Sequence, residues 1–299
     1  MRHVGFIGLG RMGGGMALNL LTKSVALHVF DPHAAAMRPL TEAGATACNS
    51  PAEMARTCDL IFMCLPYAPE VESAIFGDGG IAEAAAKGLT IVDTTTLDRT
   101  DALAIAAKCT ALGINYWDCP ISGMPFRAKD GSLTVMFGGT AEAFGMAKPY
   151  LEKVGTTIVH CGPVGAGQAM KALNNIIYNV NIAALAEVLP LTVAVGLDPE
   201  QVAGIVMSGS SRSFASEYFV PRMLEAKFDT DFTLKAAYKD IVNVERMAAE
   251  TGARLPVVNA MVGSYKAAIE AGYGDEPKSA MLKVFEDALG VKFRKDGFE

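Results

Sequence analysis

Two groups of residues in this chain have the types and spacing to do chemistry. The first is Gly8-Leu9-Gly10-Arg11-Met12-Gly13, a G-x-G-x-x-G run. Glycine allows a tight turn at the first place, close approach of backbone to a pyrophosphate at the second, and close helix–strand packing at the third. All six residues are therefore candidates for holding a dinucleotide. The N–H groups that open the following helix offer partial positive charge to its phosphates. The second group is Lys171 and Asn175, with Tyr178 and Asn179 continuing the same stripe. The i,i+4 spacing puts Lys171 and Asn175 on one face of a helix. Buried polar groups need partners, so this stripe reads either as a solvated or hydrogen-bonded network or as a lysine beside a polar ligand. A desolvated lysine has its pKa lowered towards neutrality and then works as a general acid/base.

These residues need elements to position them. His3 to Ile7 reads as a short apolar strand and Met12 to Leu21 as a helix, so the glycines fall in a strand-to-helix turn, the context the dinucleotide fingerprint requires. A second strand, Ala26–Phe30, ends at Asp31, 18 residues after Gly13. An acid there accepts hydrogen bonds from a ribose 2′-hydroxyl and repels a 2′-phosphate, which favours NAD over NADP. Asp31-Pro32 is also good helix-capping chemistry.

Strand and helix patterns alternate up to about residue 162. Further strands are expected at Leu60–Cys64, Thr90–Val92, Asn115–Cys119, Thr134–Phe137 and Thr157–Val159, and helices at Pro51–Thr57, Pro69–Ile75, Asp98–Leu112 and Ala141–Leu151. This alternation implies a mainly parallel, doubly wound sheet. Ligands of such sheets lie outside the carboxyl ends of the strands, which marks Cys64-Leu65-Pro66-Tyr67 and Asp93-Thr94-Thr95-Thr96 as cofactor-edge loops. After Cys161-Gly162-Pro163-Val164-Gly165 no strand pattern returns. One long helix runs from Ala166 to about Val195, and amphipathic segments follow near 199–208, 216–226, 233–251, 255–271 and 277–288. The expected fold is α/β, with an N-terminal Rossmann dinucleotide-binding domain over 1–163 and an all-α substrate and oligomerisation domain over 164–299. A long interdomain helix joins them, the hinge lies at 162–167, and the cleft between domains is the expected active-site position.

Composition narrows the functions further. The 299 residues are 51% hydrophobic and 19% charged, which supports a sizeable core and argues against disorder. A net charge of −6 and the absence of a basic run argue against a nucleic-acid partner. The four histidines lack metal-ligand spacing, so no metal is expected. The six cysteines (Cys48, Cys58, Cys64, Cys109, Cys119 and Cys161) are scattered and read as small core residues of a reducing compartment. Met1-Arg2-His3 leads straight into the first strand, which leaves no room for a signal peptide and implies a cytoplasmic protein. The apolar stretch Ile176–Leu197 is interrupted by Asn179, Asn181, Glu187 and Pro190. It reads as a helix buried all round in a soluble protein rather than a membrane span.

Four segments in order along the chain resemble the β-hydroxyacid dehydrogenase family, typified by 3-hydroxyisobutyrate dehydrogenase. They are Gly8 to Leu20; Asp118-Cys119-Pro120-Ile121-Ser122-Gly123 running on through Ala128–Leu133 to Gly138-Gly139; Gly165 to Asn175; and Phe232 with Lys239-Asp240-Ile241. The resemblance implies NAD(P)-dependent oxidation of short 3-hydroxy acids, with Lys171 as the catalytic acid/base. It implies that Ser122, Gly123 and Asn175 hold the substrate, and that Thr96, Phe232 and Lys239 contact the cofactor. The segment Ser208–Phe214 resembles a family loop facing the cleft, which adds Phe214 to the substrate residues. A Ser-Gly turn suits a carboxylate, through the Ser122 hydroxyl and backbone N–H groups. The family usually has Ser-Gly-Gly there; here Met124 follows, then Pro125-Phe126-Arg127, so the pocket is expected to be reshaped. An inward Arg127 could bind a second carboxylate bidentately.

The leading expectation is an NAD-dependent oxidoreductase interconverting a short 3-hydroxy acid and its semialdehyde or keto acid, working as a homodimer or homotetramer. Two alternatives stay open at this level. One is an NADP(H)-dependent semialdehyde, keto-acid or imine reductase on the same plan; related imine reductases usually lack the lysine present at 171. The other is a non-catalytic dinucleotide-binding module, which predicts loss of that lysine.

Overall fold

A computed structural model describes residues 2–21, 25–228 and 232–298, without a side-chain account of 243, 245 and 246. The chain divides into two compact units, Met1–Lys171 and Ala172–Glu299.

The first unit is built on one sheet. Its first six strands are β1 (Arg2–Ile7), β2 (Val25–Phe30), β3 (Thr46–Ala47), β4 (Leu60–Met63), β5 (Thr90–Asp93) and β6 (Asn115–Asp118). They lie side by side in the order β3-β2-β1-β4-β5-β6, all parallel. This is the strand order of a doubly wound dinucleotide fold, with its reversal between β1 and β4. Beyond β6 come β8 (Leu133–Gly138), antiparallel to both β6 and β7 (Ile121–Ser122), and β9 (Gly155–Gly162), parallel to β8. The central strands are buried on both faces, so they read as unbroken apolar runs. Alternate residues serve opposite cores. Val4, Phe6, Phe62 and Val92 pack with α1 (Gly13–Leu20) and α7 (Ala141–Val154). Ile7, Ile61, Met63 and Ile91 pack with α3 (Pro51–Ala55), α4 (Ala68–Phe76) and α5 (Arg99–Ala111). The two-residue strands β3 and β7 are too short for a periodic signal and do not appear in the sequence pattern. Nor do α2 (Ala34–Glu42), which carries Pro39 inside it, and α6 (Pro125–Lys129), a single turn with proline at its start.

The six cysteines are unpaired, and burial pushes the thiols of Cys48, Cys58 and Cys109 up to about 11, 12 and 12. Such thiols are protonated and unreactive at neutral pH.

The helix α8 (Ala166–Ala194) leads into the second unit. There it is joined by α9 (Pro199–Ser208), α10 (Phe214–Leu224), α11 (Leu234–Thr251), α12 (Pro256–Ala268) and α13 (Leu282–Leu289), with a π turn at Ile269–Tyr273 and a 3₁₀ turn at Lys278–Met281. Side chains from α8 (Ile176, Ile182, Leu189), α10 (Phe219, Met223), α11 (Leu234, Ile241) and α12 (Met261, Tyr265) form its core. Asn179 is buried within it, and its Oδ1 accepts from Tyr265 Oη at 2.9 Å and from Lys278 Nζ at 3.3 Å. The polar stripe of α8 is thus partly a hydrogen-bonded network.

One expectation is corrected. The long helix is not buried all round: Met170, Leu173, Ile177, Val188 and Leu191 are exposed along one stripe, while its other faces are in the core. Its length and apolar composition alone would suffice to cross a membrane, but the buried face, with its paired Asn179, belongs to a packed helical unit.

Candidate active site

The glycine turn has a physical reason at each end. Gly8 sits at φ 88°, and a Cβ there would lie 2.3 Å from the Cys64 carbonyl oxygen. At Gly13 a Cβ would lie 1.9 Å from Gly8 O, so only glycine lets α1 start this close to the turn. Between them, a Cβ at Gly10 would project into open space. No side chain caps the N-terminus of α1 at Met12, and its first turn carries no acid. The helix-opening N–H groups therefore suit an anion. Arg11 is exposed and Met12 half-buried beside this opening.

Asp31 closes the far side. Its Oδ2 accepts from the Leu9 N–H at 2.8 Å and its Oδ1 from the His33 N–H at 2.8 Å. The carboxylate is thereby drawn against the glycine turn, and it keeps lone pairs for further donors. The bond to His33 closes a local turn and is not a helix cap, because α2 starts after His33 with no side-chain cap; the bond to Leu9 reaches 22 residues back. These features fit a nicotinamide dinucleotide: an uncapped helix start for the pyrophosphate, space at Gly10, and an acceptor at the end of β2.

The neighbouring strand ends are tied together. Leu65 N–H donates to Thr95 Oγ1 at 3.0 Å, and Thr94 Oγ1 donates to Met63 O at 2.6 Å. This joins the loop of Leu65 and exposed Pro66 to the loop carrying half-buried Thr96. Beneath them, Asp93 accepts from Thr95 N–H at 2.9 Å and from Tyr116 Oη at 2.7 Å; burial raises its pKa to about 6 against those bonds.

In sequence Asp118 is one residue of a longer motif, yet it organises the start of the long helix. Wholly buried at the end of β6, it accepts from Gly165 N–H at 2.7 Å and Gln168 N–H at 2.8 Å. It therefore caps α8, where a negative charge is favourable. Burial pushes its carboxyl pKa up, and these backbone donors oppose that. A Cβ at Gly167 would sit 2.5 Å from Met136 O and 2.8 Å from Asp118 Oδ2, which is why the run reads Gly-x-Gly. Half-buried Lys171 follows within a turn of this anchored start.

Ser122 lies on the edge strand β7, paired with Thr134, and Gly123 follows at φ 145°. Half-buried Met124 is the residue before α6. Arg127 does not extend away from this loop: its Nε donates to Ser132 Oγ at 3.3 Å and its Nη2 to Ser132 O. It fastens α6 to the start of β8 instead of offering a free fork.

In the second unit, half-buried Asn175 stands one turn before Tyr178, whose ring lies 5.8 Å from that of exposed Phe214. Lys278, buried and absent from the sequence reading, has its Nζ 4.1 Å from the Tyr178 ring centroid and 5.8 Å from that of exposed Phe232. Lys239 is exposed on α11. Among the described residues no group of three potential ligands could hold a metal ion.

Residues 3–162 match the family described as the NAD-binding domain of 6-phosphogluconate dehydrogenase, and residues 165–285 match the NAD-binding family of NADP-dependent 3-hydroxyisobutyrate dehydrogenase. The chain belongs to the β-hydroxyacid dehydrogenase family. It is 35% identical over 289 residues to 2-(hydroxymethyl)glutarate dehydrogenase of Eubacterium barkeri, covering 96% of each chain. A probable mitochondrial 3-hydroxyisobutyrate dehydrogenase of Dictyostelium discoideum is 41% identical over 220 residues, 74% of this chain and 68% of that one. The crystal structure of a 3-hydroxyisobutyrate dehydrogenase from Salmonella typhimurium superposes with a TM-score of 0.85 at 29% identity, covering 95% of this chain and 100% of that one. As a member of this family the protein is an NAD(P)-dependent dehydrogenase acting on the CH–OH group of a short hydroxy acid.

Proposed function

We propose that the protein interconverts a short 3-hydroxy acid and its semialdehyde with NAD as the preferred dinucleotide, and that Lys171 is its general acid/base. The observation that carries this reading is the capped start of α8. Asp118 anchors Gly165 and Gln168 at the carboxyl end of β6, and the turn that follows carries Lys171. A bound dinucleotide supplies hydride acceptance at its nicotinamide. The chain's own residues do the rest. Lys171 Nζ takes the proton of the substrate hydroxyl during oxidation and returns it in reduction. The Asn175 amide orients that hydroxyl, and the Ser122 hydroxyl with the backbone at Gly123 receives the carboxylate. Met124 and Phe214 wall the substrate, while Leu65, Pro66, Thr96, Phe232 and Lys239 contact the dinucleotide. Asp31 supports NAD because its carboxylate suits ribose hydroxyls and repels a 2′-phosphate.

The names of the relatives suggest the substrates to try first. Purified protein should reduce NAD with 3-hydroxyisobutyrate, 2-(hydroxymethyl)glutarate or another small hydroxy acid, with lower kcat/KM for NADP. Asp31→Ser should narrow that cofactor ratio. Equal or better turnover with NADP in the unmodified protein would overturn the NAD preference, and no turnover across the panel would overturn the activity.

A further inference from the structure

Lys171 and Asn175 lie in the run Gly165–Asn175, and the backbone of Gln168 in the same run is held by Asp118. The Gln168 side chain is 1% exposed, and both ends of its amide are engaged. Nε2 donates to Thr95 O at 2.7 Å, and Oε1 accepts from Leu97 N–H at 3.1 Å. Those two peptide groups flank Thr96. A side-chain amide that meets a C=O and an N–H on one segment does what a neighbouring strand would do, just where β5 has ended at Asp93. The same residue gives its own backbone N–H to Asp118. Gln168 therefore joins three things: the end of β6, the first turn of α8, and the loop that presents Thr96. Lys171 follows three positions later, within one helical turn.

We propose that Gln168 is a positioning residue that holds Thr96 and Lys171 in fixed register, so that the dinucleotide edge and the proton carrier stay aligned. This rests on the roles given above to Lys171 and Thr96. Misplacement by about 1 Å costs on the order of 10²-fold in rate when reacting groups must be aligned. Leucine at 168 would fill similar space and keep the helix, but would leave Thr95 O and Leu97 N–H without this partner. Glutamate would keep the acceptor for Leu97 and lose the donor for Thr95 while ionised. Once protonated, it donates again. The carboxylates of Asp118, beside the helix start, and Asp93, beneath Thr95, both favour that protonated form.

The test uses Gln168→Leu, Gln168→Glu, Lys171→Met and the wild type. The assay is NAD with 3-hydroxyisobutyrate or 2-(hydroxymethyl)glutarate, whichever the wild type oxidises faster, across pH, together with NADH binding by fluorescence. The expected result for Gln168→Leu is a kcat lowered about 10–100-fold with little change in hydroxy-acid KM, and NADH affinity weakened about 2–10-fold. The kcat of Gln168→Glu, divided by that of the wild type, should rise as pH falls. A merely structural glutamine would give no such kcat-against-KM split and no recovery with acid. Wild-type kcat in Gln168→Leu, or a Glu-to-wild-type ratio flat in pH, overturns the proposal. If Gln168→Leu does not fold, the ratio for Gln168→Glu decides alone. Turnover retained by Lys171→Met overturns the reading of Lys171 instead. If no hydroxy acid is oxidised, NADH affinity decides: unchanged binding in Gln168→Leu overturns the positioning role, and weakened binding that recovers with acid in Gln168→Glu supports it.

Discussion

Lys171 is the residue on which the proposed chemistry turns. Methionine has similar length and no proton to exchange, so Lys171→Met isolates proton transfer from packing. General acid/base groups contribute about 10²–10⁴-fold in rate. The expected outcome is a kcat reduced by that order with NADH affinity preserved. Retention of more than about a tenth of wild-type turnover would remove Lys171 from the mechanism. Arg127 shows the opposite case. Its type suits a second carboxylate, yet its guanidinium is used within its own loop, on Ser132.

At the scale of elements, the start of α8 is the junction that matters most. The helix opens beside a buried carboxylate, and only a residue without Cβ leaves room for Met136 O and Asp118 Oδ2 at position 167. Both obstacles are anchored, one as backbone and one by hydrogen bonds to Gly165 and Gln168. Gly167→Ala should therefore destabilise the protein by about 1–3 kcal/mol, the usual cost of overpacking, and lower turnover by shifting the first turn. Urea unfolding and steady-state kinetics check both effects; an unchanged midpoint would show that the junction yields more easily than its geometry indicates.

At the scale of the molecule, Asp93 links stability to pH. Its carboxyl is held well above its ordinary 3.8, at about 6, by burial. The folded protein therefore binds this proton more tightly than the unfolded chain does. The stabilisation is present at low pH and is lost as pH rises through about 6. Relative to Asp93→Asn, which keeps one acceptor oxygen and has no carboxyl to titrate, the wild type should lose up to about 3 kcal/mol between about pH 4 and pH 7. A constant difference across that range would refute the assignment. Glu225 is held down to about 2 by Lys227 and Lys295, so its contribution changes at lower pH.

The amino-acid sequence by itself determined what depends on neighbours along the chain. Glycines at 8, 10 and 13 between an apolar strand and a helical pattern, an acid ending the second strand, and the change of texture after Gly165 are local signals. They were enough for a doubly wound sheet followed by helices, and for a candidate lysine. Two-residue strands carry no period, so β3 and β7 were invisible. What only the tertiary structure decided are the pairings between distant segments. Asp118 meets Gly165 and Gln168 across 47 and 50 residues, and Gln168 reaches Leu97 and Thr95 across 71 and 73. Lys278 reaches Asn179 across 99. In sequence each of Asp118, Gln168 and Lys278 is an ordinary polar side chain. It becomes a cap, a clasp or a buried cation only because burial removes water and leaves a partner from far along the chain to satisfy it.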